Sequence, residues 1–155
     1  MKTLFFLLFS FGFTLSISAQ ESTASRQKHI NAFKNHLAIQ GYDPVAYFAL
    51  GKAVKGNGAF RHEEKGIIYH FSSEENRDLF KKNPAKYEPQ YGGWCAYAMG
   101  DSGDKVEINP ATFKIVNGKL YLFYNKSGNN TKIDWNEDQD ALMKAANANW
   151  KKIVG

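Results

Sequence analysis

Apolar residues crowd the start of the chain and afterwards come in short, spaced groups. Leu4 to Leu15 is a Phe-rich, mostly apolar run behind Lys2, and Ser16-Ile17-Ser18-Ala19 follows with small residues. A positive residue, a short apolar segment and a small-residue stretch make the pattern of a cleaved export signal. The run is too short to span a bilayer comfortably, and no stop-transfer pattern follows it. Residues 1–19 therefore read as a signal peptide cut before Gln20. Residues 20–38 read as a leader and 39–155 as one folded domain. Within the leader, Glu21 to Arg26 is polar and reads as flexible. Ile30, Phe33 and Leu37 are spaced three and four apart, which predicts a short helix over 29–37.

The domain begins with Gly41-Tyr42-Asp43-Pro44, a predicted turn in which Pro44 pushes Asp43 towards extended backbone. A strand or short helix follows at 45–48, then a Gly- and Lys-rich loop over 51–58. Ile67 to Phe71 is β-branched and aromatic and predicts a strand. Ser72 to Glu75 has the form of a capping box that opens a helix running to about Lys82, before Pro84. Pro84 to Tyr87 suits one more helical turn. Phe113–Val116 and Lys119–Tyr124 flank Asn117-Gly118, the residue pair that a type I′ hairpin turn demands. Leu142, Ala146, Trp150 and Ile153 share one face of a last helix over 135–153. Trp150 is expected to bury against the sheet. No internal repeat stands out. The fold class expected is α+β: a small antiparallel sheet with a β-hairpin, packed against a few helices.

Charge changes this picture little. The formal net charge is +5, and +4 once Lys2 leaves with the signal. The basic residues are scattered, with Lys81-Lys82 and Lys151-Lys152 the adjacent lysine pairs. Nucleic-acid binding would need a clustered basic stripe with reading aromatics. Nucleic acid is accordingly not expected as a partner. No cysteine opens the mature chain, so no lipid anchor is expected either. The style of the signal suggests a bacterial source, where the sequons at Asn125 and Asn129 go unused.

The candidate chemistry gathers in Tyr91-Gly92-Gly93-Trp94-Cys95-Ala96-Tyr97-Ala98. Cys95 is the only cysteine, so it cannot form an internal disulfide. A helix opening near Gly93 or Trp94 would aim amide groups at its sulfur and favour a thiolate. Cys95 would then serve as a redox nucleophile or as a soft-metal ligand. Free cysteine is equally at home as a small buried hydrophobe, and that reading stays open. Tyr91, Gly92 and Gly93 are candidate cofactor-binding positions, because the glycines allow backbone or ligand to approach closely. His70, opposite Tyr69 and Phe71 on its strand, is a candidate base or second metal ligand. Asp43 is a candidate third ligand, or else closes its own turn. His29, His36 and His62 read as solvated. HExxH, paired CxxC, phosphate-loop and Ser-nucleophile motifs are absent.

In order along the chain, several segments resemble the YHS-domain family, in particular its small exported branch. They are Gly41 to Phe48, Tyr69-His70-Phe71-Ser72 with Glu75-Asn76-Arg77 and Phe80, and Asn83-Pro84 with Tyr87. Tyr91 to Ala98, Gly118 to Leu122 with Tyr124-Asn125-Lys126, and Asn149-Trp150 complete the likeness. The resemblance implies an exported, periplasmic or secreted module that binds a metal ion or small ligand. A soft or borderline metal, copper or zinc, would suit a single thiol. Some members of that branch carry selenocysteine at the position of Cys95, which implies redox or soft-ligand work there. The chain departs from the metal-pump type of YHS domain, whose extra cysteines fall where Phe71, Ser72 and Ser73 stand. The alternatives are a single-cysteine thiol-redox protein and a structural or partner-binding domain with Cys95 buried. No protein partner can be named.

Overall fold

Asn117 and Gly118 both take positive φ, at 50° and 71°, and fold the predicted hairpin. In this computed structural model, which describes residues 22–155 without the side chains of Phe33 and Lys34, the hairpin pairs β3 (Asn109–Val116) with β4 (Lys119–Phe123). The signal-peptide reading lies outside the described residues. No helix among the described residues is long and apolar enough to cross a membrane.

The fold is α+β. A second antiparallel hairpin joins β1 (Asn57–Glu64) to β2 (Ile67–Phe71). A third, very short one joins β5 (Asn125–Lys126) to β6 (Asn129–Asn130). The helices are α1 (Thr23–His29), α2 (Phe33–His36), α3 (Ala46–Leu50), α4 (Glu74–Lys82), α5 (Pro84–Tyr87), α6 (Ala96–Asp101), α7 (Thr131–Glu137) and α8 (Gln139–Val154). β2 buries Ile67, Tyr69 and Phe71 on one face and leaves Ile68 and His70 half-buried on the other, as its alternation predicts. Phe80 of α4 stacks on Tyr69 and Phe71 in one core cluster, which also holds Tyr47, Leu120, Leu122 and Cys95. A second cluster packs Tyr121 and Phe123 on Trp135, with Met99 and Ala146.

The two larger hairpins are copies of one another. Every pair in the β1–β2 register, from Asn57↔Phe71 to Glu64↔Ile67, recurs in β3–β4 with 52 added to each number, from Asn109↔Phe123 to Val116↔Lys119. The register slips at the same place in both, between Asn57 and Arg61 and between Asn109 and Phe113. Ahead of each hairpin three consecutive residues take positive φ: Ile39-Gln40-Gly41 and Tyr91-Gly92-Gly93. Asp43 N–H donates to Val54 O at 2.9 Å, and Cys95 N–H donates to Val106 O at 2.9 Å. Asn57 Oδ1 accepts from Ala59 N–H, and Asn109 Oδ1 accepts from Ala111 N–H. Each unit thus runs left-handed turn, short helix, hairpin and helix, with the short β5–β6 hairpin inserted before the helix of the second. The sequence retains Gly41, Gly51, Asn57, Gly66, Tyr69 and Phe71 as Gly93, Gly103, Asn109, Gly118, Tyr121 and Phe123. The two units form an internal structural repeat, which corrects the expectation of no repeat.

Four local expectations are also corrected. The leader's helix is α1, over the stretch read as flexible, with the Ser22 hydroxyl accepting from Ser25 N–H. The stretch read as helical holds only the single turn of α2, where Asn35 and His36 take positive φ. The cap of α4 is Ser73, not Ser72, which is drawn instead to Asp43. The last helix breaks at Asp138 into α7 and α8, and Trp135, not Trp150, is the fully buried tryptophan against the hairpin. Trp150 is half-buried and meets the Gly92 turn instead.

Candidate functional site

Cys95 sits at the N-cap of α6 with no exposed surface. Its sulfur does not cap that helix. It turns to the other side, where Tyr124 N–H donates to Sγ at 3.3 Å and Thr131 Oγ1 lies 3.3 Å away. Thr131 Oγ1 is also 3.1 Å from Tyr124 O, and either Sγ or Oγ1 can be the donor between the thiol and the hydroxyl. The sulfur therefore makes two hydrogen bonds inside the protein. A parallel bridge to Leu122 fixes its backbone. The helix expected to begin at Gly93 or Trp94 begins at Ala96, because residues 91–93 form a left-handed turn instead.

Asp43 holds the equivalent place in the first unit and is also wholly buried. Oδ1 accepts from Val45 N–H at 2.8 Å and Ala46 N–H at 3.3 Å. Oδ2 accepts from Ser72 N–H at 2.8 Å, the Ser72 hydroxyl at 2.6 Å and Asn76 Nδ2 at 2.7 Å. Ser72 N–H to Asp43 matches Tyr124 N–H to Cys95, again 52 residues on. Each side chain ties its turn to the residue that follows a hairpin. For Asp43 this is the turn-closing reading, extended to β2 and α4.

His70 lies elsewhere. Its ring faces Gly41 and Gly58 at the β1–β2 hairpin. Burial, then the Arg61 and Lys55 cations, lower its pKa from the usual histidine value. Among the described residues no group of three or more His, Cys, Asp or Glu side chains converges as a metal site. Cys95, His70 and Asp43 are thus not brought together.

Tyr91, Gly92 and Gly93 do meet a cavity. They line a cleft of about 550 Å³ at the junction of the two units, which also takes in Ile39 of the first turn. Gly92 has φ +61°, and a Cβ there would stand 2.8 Å from Trp150 Cη2 and 3.1 Å from His29 O. A side chain there would have to displace the Trp150 ring and would be strained by the positive φ. Asn31 clamps the turn from the leader: its N–H donates to Gly92 O at 2.8 Å and its Nδ2 to Gly93 O at 3.1 Å. One wall is a buried polar group in which Glu88 Oε1 accepts from Arg26 Nη2 and from the Tyr69 hydroxyl at 2.9 Å. Burial, then the Glu88 carboxylate, hold the Tyr69 phenol far above its ordinary pKa, so it remains a donor. The opposite wall is α8, where the Tyr91 hydroxyl donates to Asn147 Oδ1 at 3.1 Å and Trp150 and Lys151 face the opening.

Sequence reasoning missed Arg26, Glu88, Asn147 and Lys151. Arg26 and Glu88 lie 62 residues apart, and no local spacing couples them. Asn147 and Lys151 were legible as neighbours of Trp150, one helical turn from each other, had the helix face been followed past its apolar residues. Compared with known proteins the chain finds no counterpart: no family model, no curated protein and no solved structure matches it.

Proposed function

We propose that this chain is an exported YHS-type binding module that takes a small ligand in the cleft between its two units, with Cys95 as an internal anchor. The observation that carries this reading is the contrast between two neighbours in sequence. Cys95 is fully enclosed with its hydrogen bonds made, whereas the adjacent Tyr91–Gly93 turn borders open space. Ligand sites favour such junctions, where apolar walls carry a few placed polar groups. The metal and thiol-redox readings both need the sulfur within reach of solvent or of other ligands, which would require the Thr131 and Tyr124 contacts to open. The resemblance to the exported YHS branch, and the export it implies, belong to this proposal.

The test is alkylation of Cys95 by iodoacetamide in the folded, reduced protein, with and without Cu(I) or Zn(II). Reaction only at the pace of unfolding, with no protection by metal, is the expected result. Fast alkylation that one equivalent of metal suppresses would replace this reading with the metal one. Fast alkylation indifferent to metal would favour the redox one.

A further inference from the structure

We infer that the cleft's ligand is an organic anion: a small aromatic or otherwise apolar body bearing a carboxylate, sulfonate or phosphate group. This rests on the reading of the cleft as the binding site. The argument comes from which polar groups around it are already engaged. Glu88 faces the cleft, but it is paired with Arg26 and also holds the Tyr69 hydroxyl. Its charge is answered from within the wall, so it offers little to a cationic ligand. On the α8 side the situation is reversed. Lys151 is exposed at the opening, and its ammonium group has no hydrogen-bond or ion-pair partner among the described residues. Asn147 stands one turn earlier on the same helix. Its Oδ1 is fixed by the Tyr91 hydroxyl, which leaves the two Nδ2 hydrogens to point away from that bond.

An ammonium group and an amide donor one helical turn apart form a two-point clamp for an anionic head. Trp150 on the same helix is half-buried, and Ile30, Ile39 and Tyr91 add apolar lining to the cleft. Arg26, Glu88 and Lys151 are the charged residues of the lining; Arg26 and Glu88 pair with each other, and Lys151 is the exposed cation among them. A negative group at Lys151 with a ring against Trp150 satisfies both parts of the site. A cationic head would meet Lys151 directly and find Glu88 occupied.

The test uses the folded chain and two fluorescent probes of similar apolar body: anilinonaphthalene sulfonate, which is anionic, and N-phenylnaphthylamine, which is neutral. Three variants accompany them. Lys151→Glu reverses the exposed charge. Asn147→Asp keeps the acceptor for Tyr91 and removes the donors. Ala85→Trp fills the opening from an exposed position on α5. Thermal melting of each variant establishes that it is folded before titration. The sulfonate probe is expected to bind one to one. Lys151→Glu and Asn147→Asp should each weaken it roughly tenfold, the scale of one charge-assisted hydrogen bond. The neutral probe should change less than about twofold in those two variants, and Ala85→Trp should weaken both probes. Added salt should weaken the sulfonate probe alone, since Lys151 is exposed to screening.

If both probes bind, Ala85→Trp blocks both and Lys151→Glu affects neither, the cleft stands as a site and the anion inference falls. If neither probe binds, or both bind and ignore Ala85→Trp, the cleft reading itself falls and this inference with it.

Discussion

At the scale of single residues, Asp43 and Cys95 do the same job with different chemistry. Asp43 gathers five donors on two oxygens, all inside the protein. Truncating it would strand buried N–H groups that water cannot reach, each costing about 1–3 kcal/mol. Asp43→Ala is therefore expected to lose roughly 3–5 kcal/mol, read from urea unfolding midpoints. Cys95→Ala removes one small atom and two weak hydrogen bonds, so about 1–3 kcal/mol is expected in the same assay. Should Cys95→Ala prove the costlier, the shared anchoring role would be wrong. His70 predicts a pH effect. Burial and the Arg61 and Lys55 cations depress its pKa in the fold, so the unfolded chain binds the proton more readily. The stability its neutral ring contributes is complete above about pH 6.5 and is lost as the pH falls below that value. His70→Gln should flatten this part of the stability curve, measured by unfolding midpoints near pH 7.5 and near pH 5.5. An unchanged slope would mean that His70 titrates alike in both states.

At the scale of elements, the left-handed turns before each hairpin decide where the chemistry lies. Tyr91 takes φ 54° in such a turn, a conformation that a residue with a side chain adopts at some cost. The cost is met by Asn31, which holds two of the turn's carbonyls. Gly92→Ala should destabilise the protein by about 1–3 kcal/mol through φ strain and contact with Trp150. It should also weaken any ligand that the cleft takes, and calorimetry together with the probe titrations would read both effects. A variant as stable as the parent would show that α8 yields easily. These turns were not legible in the sequence. The glycine pair marked the place, but Ile39, Gln40 and Tyr91 carry no sign of a left-handed backbone. The strand at 67–71, the hairpin at 113–124 and the apolar face of the last helix were legible, because alternation, Asn-Gly and helical spacing are local signals. β1 was not, since most of its residues are exposed and only Phe60, His62 and Glu64 are half-covered.

At the scale of the whole molecule, the internal repeat explains what the sequence concealed. Two units with one backbone path keep few residues in common: glycines at turns, the asparagine at the bulge, two rings on the second strand, and Ala46, Val54 and Ala59 as Ala98, Val106 and Ala111. Most other positions have diverged, so no periodic signal survives to the eye. The cleft falls where the units meet the leader and α8, and its walls therefore come from four distant stretches. Only the Tyr91–Gly93 part could be foreseen, because it adjoins the lone cysteine. The repeat also carries a hazard during folding. Two hairpins of identical register could exchange strands, within one chain or between two, as happens in tandem arrays of like sequence. Divergence is the safeguard. Where β2 presents Ile67 and His70, β4 presents Lys119 and Leu122. A strand that joined the wrong partner would put Lys119 into the place of the fully buried Ile67. The differences between the halves act as addresses, and each strand recognises its own hairpin by the residues the other has lost.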